Sequence, residues 1–448
     1  MQTLADQPIQ GIRSAFLDFV GDPFYTDDAS SVRYISDGLL VVENGVIVDF
    51  GSYENLRNHY TNIPITTYSN NLVMPGFIDT HIHYSQYEII AAYGEQLLEW
   101  LNKYVFPTEK KFKDKSHAKK IAALFLDELL KQGTTTALVF ATVHAESVDA
   151  FFEGASHRNL RMICGKVLMD RNAPSYLTDT PETAYEETKK LIQKWHNHNR
   201  LLYAITPRFA ITSTNEQLKI AGKLLQEFPD IYLHTHLSEN IQEVQWVAKL
   251  FPNSLGYLDV YDRAGLVGKK SVFAHGVQLT DAEFERLSEA KAAISFCPTS
   301  NLFLGSGLFR LSQAKSNQHP VKVGLGTDVG AGTSFSLLHT ANEAYKVMQL
   351  QGKPLSAFKA LFLATLGGAQ ALSIEDKLGN FEPGKEADFI VLDLHATPLM
   401  ANRTSRFPAQ SLEDLAEKVF GLMMLSDDRA VQAVYIAGKL AHSLATVL

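Results

Sequence analysis

The chain of 448 residues contains little cysteine and no strong excess of either charge. Cys164 and Cys297 are its only cysteines, so at most one disulfide is possible, and two buried thiols in a reducing compartment are expected. There are 41 Lys and Arg against 49 Asp and Glu, which gives a net charge of −8, and no block of basic residues occurs. This balance argues against a general nucleic-acid binder, because phosphate contacts need a clustered positive surface.

Long hydrophobic runs are also missing. No stretch approaches the roughly 20 apolar residues that a membrane span requires. Residues 1–22 carry acidic side chains and no long apolar core, so no signal peptide is expected. We therefore predict a cytoplasmic protein without membrane association.

The chain does contain a regular alternation of apolar, strand-like runs with helical stretches. Eight such runs occur between Val73 and Asp328, and helices separate most of them. This order and length predict an α/β protein with a (β/α)8 barrel. An open, doubly wound sheet is the alternative, but no G-x-G-x-x-G fingerprint follows the first strand.

The segments on either side of the predicted barrel are patterned as β structure. Glu43-Asn44-Gly45 is a hairpin signal within residues 1–72, and residues 379–448 contain strands without helices between them. We predict that 1–72 and 379–448 together build a small β-sandwich domain. The catalytic barrel would then span residues 73–378.

Polar side chains end five of the eight predicted strands. Because active sites of such barrels lie at the carboxyl ends of the strands, these residues should meet at one mouth. Histidine and aspartate there suit Zn²⁺ with room for a water, although iron or manganese would also fit. The residues, in chain order, are His81, His83, Arg208, His236, Glu239, His275 and Asp328.

The histidine assignments have structural alternatives. His81 and His83 share one face of a strand, because side chains alternate with a period of two, and both could be ordinary buried histidines. His234 shares a face with His236, so spacing alone does not separate them. The position nearer the strand end favours His236.

The other candidates have alternatives too. His275 could be a core histidine, and Asp328 could cap the next helix. Glu239 could be a first-turn acid favoured by the helix dipole, and Arg208 could form a surface ion pair.

The motifs that carry these residues resemble those of the amidohydrolase superfamily. The resemblance extends from about residue 60 to residue 440. The matching segments are Met74-Pro-Gly-Phe-Ile-Asp-Thr-His-Ile-His83, His236-Leu-Ser-Glu239, Ala274-His275-Gly276, Cys297-Pro-Thr-Ser-Asn301 and Gly324-Leu-Gly-Thr-Asp328. A finer resemblance to one branch of the superfamily lies in Thr80-His-Ile-His-Tyr-Ser-Gln86, Leu97-Leu-Glu-Trp-Leu101, Thr206-Pro-Arg-Phe209 and Ala364-Thr-Leu-Gly-Gly-Ala369.

The resemblance implies one catalytic zinc per subunit. Its ligands would be His81, His83, His236 and Asp328. Two-metal members usually hold a modified lysine at the end of strand four, where this chain has Pro207-Arg208. The other deaminase architecture binds zinc with P-C-x-x-C, which two distant cysteines cannot form.

The resemblance also implies three catalytic residues. Glu239 would carry a proton from the attacking water to the substrate, and His275 would steer that water and stabilise its charge. Asp328 would be both a ligand and a proton acceptor. Bound Zn²⁺ would bring the pKa of its water to about 7.

The finer motifs imply hydrolysis of guanine to xanthine and ammonia by a homodimer. Arginine and amide donors suit the O6/N7 edge of guanine, and Phe209 could stack on the ring. The predicted substrate contacts are Tyr84, Ser85, Gln86, Arg208, Phe209, His236, Glu239 and Asp328.

Two alternative functions are considered for this sequence. One is a barrel aminohydrolase acting on a cytosine, adenosine-type or triazine ring, against which Gln86 and Arg208-Phe209 argue. The other is an interaction-only barrel, which would be expected to have lost its metal ligands.

Overall fold

The computed structural model describes residues 8–94, 96–409 and 411–444. Segments from both ends of this part of the chain form a seven-stranded sheet with the strand order β16-β15-β14-β4-β1-β2-β3. Its strands are β1 (Gln10–Phe19), β2 (Val32–Glu43), β3 (Val46–Ser52), β4 (Ile65–Pro75), β14 (Phe389–Asp393), β15 (Val431–Ile436) and β16 (Lys439–Ser443).

Side chains of this one sheet form a core of their own. Phe16 of β1 packs edge-on against Phe381, at 5.5 Å between ring centroids, and Phe389 of β14 stacks on Tyr435 of β15 at 4.4 Å. The hairpin predicted between β2 and β3 is confirmed. Asn44 and Gly45 both have positive φ (51° and 80°), as a two-residue type I′ turn requires.

The predicted (β/α)8 barrel is confirmed. Its parallel strands pair in chain order, with a short strand β8 pairing beside β9. The barrel closes where Asp328 N donates to His81 O and His83 N donates to Val329 O, both at 2.9 Å. The strands are β5 (Phe77–His83), β6 (Thr134–Phe140), β7 (Arg161–Gly165), β8 (Val167–Leu168), β9 (Leu202–Pro207), β10 (Tyr232–Leu237), β11 (Ser271–His275), β12 (Ala293–Phe296) and β13 (Lys322–Leu325).

Helices alternate with the barrel strands along the chain. Those within or just after the barrel repeats are Lys115–Lys131, Ala145–His157, Pro181–Trp195, Asn215–Glu227, Ile241–Leu250, Tyr257–Arg263, Asp281–Glu289, Leu337–Leu350, Ala357–Leu363 and Leu366–Ala371. The remaining α-helices of the described residues are Asp28–Ser31, Tyr53–Leu56, Leu97–Trp100, Phe106–Glu109, Pro298–Phe303, Leu311–Ala314, Pro398–Thr404 and Leu412–Leu425. Among the residues described, no helix has both the length and the apolar character needed to cross a membrane.

Buried side chains fill the barrel interior beneath its mouth. Seven strands each contribute one residue to a single cluster, as expected for a packed barrel rather than a pore. These residues are Ile78, Leu138, Ile163, Ala204, Tyr232, Val272 and Ala293. Buried polar side chains, including Thr80, Ser295 and His234, lie between this apolar cluster and the strand ends.

Gly76 separates two strands that the apolar pattern had joined into one. Val73 pairs with Val391 in the small sheet, so the first barrel strand begins at Phe77 and not at Val73. A Cβ on Gly76 would lie 2.1 Å from Thr135 Oγ1 and 2.8 Å from Thr135 Cβ. Rotating the threonine cannot relieve the second contact, so this junction requires glycine.

We expect Gly76→Ala to lower the free energy of unfolding by about 1–3 kcal/mol, the usual cost of overpacking a filled site. Gly268→Ala is the matched control, because nothing lies within 4 Å of a Cβ there. Denaturant unfolding of both variants measures the difference. Equal stabilities would contradict the close contact at Gly76.

Candidate active site and metal centre

The ends of four barrel strands place the predicted polar residues around one point. His81 and His83 lie at the end of β5, His236 lies on β10 and His275 ends β11. Asp328 follows β13, and both His275 (φ 74°) and Asp328 (φ 51°) have the left-handed backbone that non-glycine residues seldom adopt. Such strained residues are concentrated at functional sites.

Four predicted metal ligands lie at the mutual distances that a small metal site requires. Asp328 Oδ1 is 3.1 Å from His81 Nε2 and 3.2 Å from His83 Nε2. His83 Nε2 is 3.2 Å from His236 Nε2. Tetrahedral zinc with bonds of about 2.0–2.1 Å separates neighbouring ligand atoms by roughly 3.3 Å. A metal of this kind therefore fits the site.

Hydrogen bonds at the outer ring nitrogens leave lone pairs aimed at this point. His236 Nδ1 lies 2.7 Å from Arg208 O. A carbonyl only accepts, so His236 carries its proton on Nδ1 and its Nε2 is free to bind metal. His81 Nδ1 is held by His234 Nε2 at 2.7 Å, so the buried His81 Nε2 on the other side of the ring faces Asp328 Oδ1.

His275 is the fifth residue around the same point. Its Nε2 lies 3.7 Å from Asp328 Oδ2 and 3.4 Å from Glu239 Oε2, while its Nδ1 is 2.9 Å from Asn301 Oδ1. Ligand atoms of His81, His236, His275 and Asp328 lie within 4.8 Å of one another, so His275 is an alternative to His83 as a ligand. The shorter distances favour His83.

The protonation states suit a divalent cation. Burial lowers the pKa of the His83 imidazole to about 3 and holds the pKa of His236 well below its usual value. Burial alone would raise the pKa of Asp328, but its contacts with His81 and His83 hold this pKa well below its usual range. Neutral imidazoles and one ionised carboxylate are the forms that bind metals.

Glu239 is a buried acid beside this cluster. Burial, together with the negative charge of Asp328, raises its pKa to about 8. Ser306 Oγ donates to Glu239 Oε1 at 3.3 Å, and Glu243 accepts the backbone N–H of Glu239 at 2.8 Å. A carboxyl group with such a pKa can take up and release a proton near neutral pH.

A cavity opens over the cluster. Gln86 Oε1 accepts the Gly330 N–H at 3.2 Å, which leaves the Gln86 amide nitrogen to donate elsewhere. Glu109 pairs with Arg208 Nη1 at 2.9 Å. The lining residues are His83, Gln86, Leu97, Trp100, Leu101, Arg208, Phe209, His236, Glu239, His275, Leu304, Asp328 and Ala331.

Two predicted substrate contacts lie outside this lining. Among the residues described, neither Tyr84 nor Ser85 forms part of the cavity wall. Tyr84 is fully buried and donates its hydroxyl to Ser147 O at 2.6 Å, while Ser85 Oγ donates to Glu109 Oε1 at 3.5 Å. Both residues belong to a turn of 3-10 helix, Tyr84–Ile89, that follows the strand.

Three residues that hold site residues in place were not predicted from the sequence to do so. Asn301 orients His275, and it stands in a motif already noted for its resemblance. His234 holds His81, which explains why two histidines share one face of β10. Glu109 lies on a short helix far along the chain from Arg208, and no spacing rule links the two.

A parallel barrel carrying a histidine and aspartate cluster at its mouth defines a class of metal-binding hydrolases. The model of the amidohydrolase family matches residues 72–441. The chain therefore belongs to the amidohydrolase family.

Individual proteins of this family are similar to the chain over nearly its whole length. A guanine deaminase of Escherichia coli (strain K12) is 52% identical over 441 residues, with 98% of each chain covered. The crystal structure of guanine deaminase from Bradyrhizobium japonicum matches with a TM-score of 0.95 at 42% identity, covering 98% of this chain and 100% of that one. Guanine deaminase from C. acetobutylicum, solved with guanine in its active site, matches with a TM-score of 0.86 at 31% identity, covering 97% and 100%.

Proposed function

We propose that this chain catalyses the hydrolytic deamination of guanine to xanthine and ammonia. One observation carries the proposal: a single cavity is lined by three of the four assigned metal ligands, by the buried acid Glu239 and by the donors Gln86 and Arg208. The full-length similarity to guanine deaminases supports it further.

Zinc, one ion per subunit, is the metal we assign to His81, His83, His236 and Asp328. Three imidazole nitrogens and one carboxylate oxygen are a common ligand set for a catalytic zinc. When bound, zinc would supply Lewis-acid activation of water near neutral pH. His234 and the Arg208 carbonyl orient the imidazoles for this task.

Glu239 moves the protons of the reaction. Water oxygen must bond to C2 of guanine, ring nitrogen N3 must gain a proton, and the amine must leave as ammonia when the C2–N bond breaks. The carboxyl of Glu239 takes a proton from the water and delivers it to N3, which its pKa of about 8 permits. Ser306 holds Oε1, so Oε2 faces the cluster beside His275.

His275 and Asp328 act on the attacking water. His275 Nδ1 is held by Asn301, so its Nε2 is directed between Glu239 Oε2 and Asp328 Oδ2. There His275 steers the water and stabilises negative charge on its oxygen. Asp328 serves as a ligand and as a second proton acceptor: it takes the remaining proton of the attacking oxygen, and this proton passes to the amine, which leaves as ammonia.

Gln86, Arg208 and Phe209 bind the purine. The Gln86 amide nitrogen and the guanidinium donate to the acceptor-rich O6/N7 edge, the same edge that arginine binds in DNA. Phe209 offers a face for stacking, and the side chains of Leu97, Trp100 and Leu101 exclude water on the other walls.

We further propose a cytoplasmic homodimer. Cys164 and Cys297 are both buried free thiols, as expected in a reducing compartment. The dimer rests on the family resemblance, and light scattering of the purified protein tests it.

A substrate panel tests the proposed reaction. We expect guanine to be hydrolysed faster than adenine, adenosine, cytosine or an aminotriazine. Each of those compounds either lacks the O6 acceptor of guanine or carries an acceptor at a different position relative to the reacting amine. Ammonia release and absorbance change are measured with bound metal quantified in the same sample. Faster turnover of another ring would contradict the substrate assignment.

Glu239→Gln tests the proton carrier. The amide has nearly the same size but cannot take up the proton, so we expect kcat to fall by about 10²–10⁴-fold while metal content stays unchanged. Glu289→Gln is the matched control, since that side chain is exposed on the barrel surface. Wild-type kcat in the Glu239 variant would remove this residue from the mechanism.

A further inference from the structure

Arg208 presents a buried charge that needs a partner. It follows the last residue of β9 and lines the cavity, yet its side chain is only 3% exposed. A buried, uncompensated guanidinium is costly, so such groups are found paired. The partner determines which of the N–H groups of Arg208 remain available to a ligand.

That partner is Glu109, whose side chain is fully buried. Both of its carboxylate oxygens lie 2.9 Å from Arg208 Nη1. Ser85 Oγ adds a third contact by donating to Glu109 Oε1 at 3.5 Å. Among the residues that the structure describes, no other side chain pairs with this guanidinium.

The pair also fixes the direction of the guanidinium. Because the group is planar, anchoring Nη1 on one side leaves Nε and Nη2 to donate on the other. Phe106 belongs to the same helical turn as Glu109, and the Arg208 Cζ lies 5.7 Å from its ring centroid. One short helix therefore provides both the carboxylate and the ring that border the arginine.

The helix with Glu109 is continuous with the cavity wall. Leu97, Trp100 and Leu101 line the cavity a few residues earlier in the chain. The ion pair therefore ties this wall to the end of β9, and the arginine and the wall are held in one arrangement before substrate arrives.

We propose that Glu109 is a positioning residue for substrate binding: it neutralises Arg208 and holds the free N–H groups of Arg208 toward the purine. The proposal rests on the assignment of guanine as substrate. A merely structural tie between the helix and β9 would stabilise the fold without selectively affecting substrate binding.

The test is Glu109→Gln in the metal-loaded enzyme. The amide keeps the size but loses the charge and one of the two contacts with Nη1. We expect KM for guanine to rise about ten- to a hundredfold, the range for loss of a charge-assisted hydrogen bond. Because Arg208 would bind substrate and transition state alike, kcat should change little.

Three further variants make the result specific. Glu88→Gln is the matched control, because Glu88 forms a partly exposed ion pair with Lys111 in the same region and is absent from the cavity lining. Arg208→Met should raise KM by itself, and Glu109→Gln added to it should raise KM no further. Glu109→Asp retains the charge and serves if the glutamine variant fails to fold, with a smaller rise in KM expected.

The possible outcomes distinguish the role of Glu109 from the proposed activity on guanine. A raised KM with unchanged metal content, absent in the Arg208→Met background, supports the role of Glu109. Wild-type KM in the Glu109 variants, or an equal rise on both backgrounds, overturns it. A wild-type protein that does not hydrolyse guanine would instead refute the proposed function itself.

Discussion

An ionised carboxylate buried among unprotonated imidazoles is the constraint on which the rest of the structure depends. Asp328 Oδ1 lies 3.1–3.2 Å from nitrogens of His81 and His83, where burial keeps the imidazole of His83 neutral. A cation satisfies this arrangement, because it supplies the positive charge that the histidines do not. The closure of the barrel brings these groups together, because backbone hydrogen bonds of His81 and His83 join β5 to the segment that follows β13.

Four functional groups at the mouth are each held from behind by a second group. The outer contacts differ in chemistry, being an imidazole, a carbonyl, an amide and a carboxylate, but each fixes one side of a side chain and leaves the other side to the cavity. The pairs are His81 with His234, His236 with the Arg208 carbonyl, His275 with Asn301, and Arg208 with Glu109. The geometry at the centre therefore depends on groups that themselves touch neither metal nor substrate, including the backbone carbonyl of Arg208.

The barrel and the positions of its polar strand ends could be predicted from sequence, because strand order and strand ends follow from hydrophobic periodicity and chain length. The break at Gly76 was not predicted, because the apolar run continues through it, although Pro75-Gly76 is a local break signal. The structure shows the break because Pro75 pairs in the small sheet and Phe77 pairs in the barrel. The direction of the Tyr84 side chain, whose hydroxyl donates to Ser147 O, also could not be predicted from its proximity to the histidines in sequence. Glu109 was missed because a buried ion pair between distant segments leaves no local pattern.

Metal reconstitution tests the central claim most directly, which is that one metal ion on this cluster supports guanine deamination. The protein is stripped with a chelator, zinc is added back in steps, and guanine turnover is measured against bound metal. The account predicts activity that rises in proportion to bound zinc and saturates at one ion per chain. Full activity in the stripped protein, or activity that keeps rising to a second ion, would contradict it.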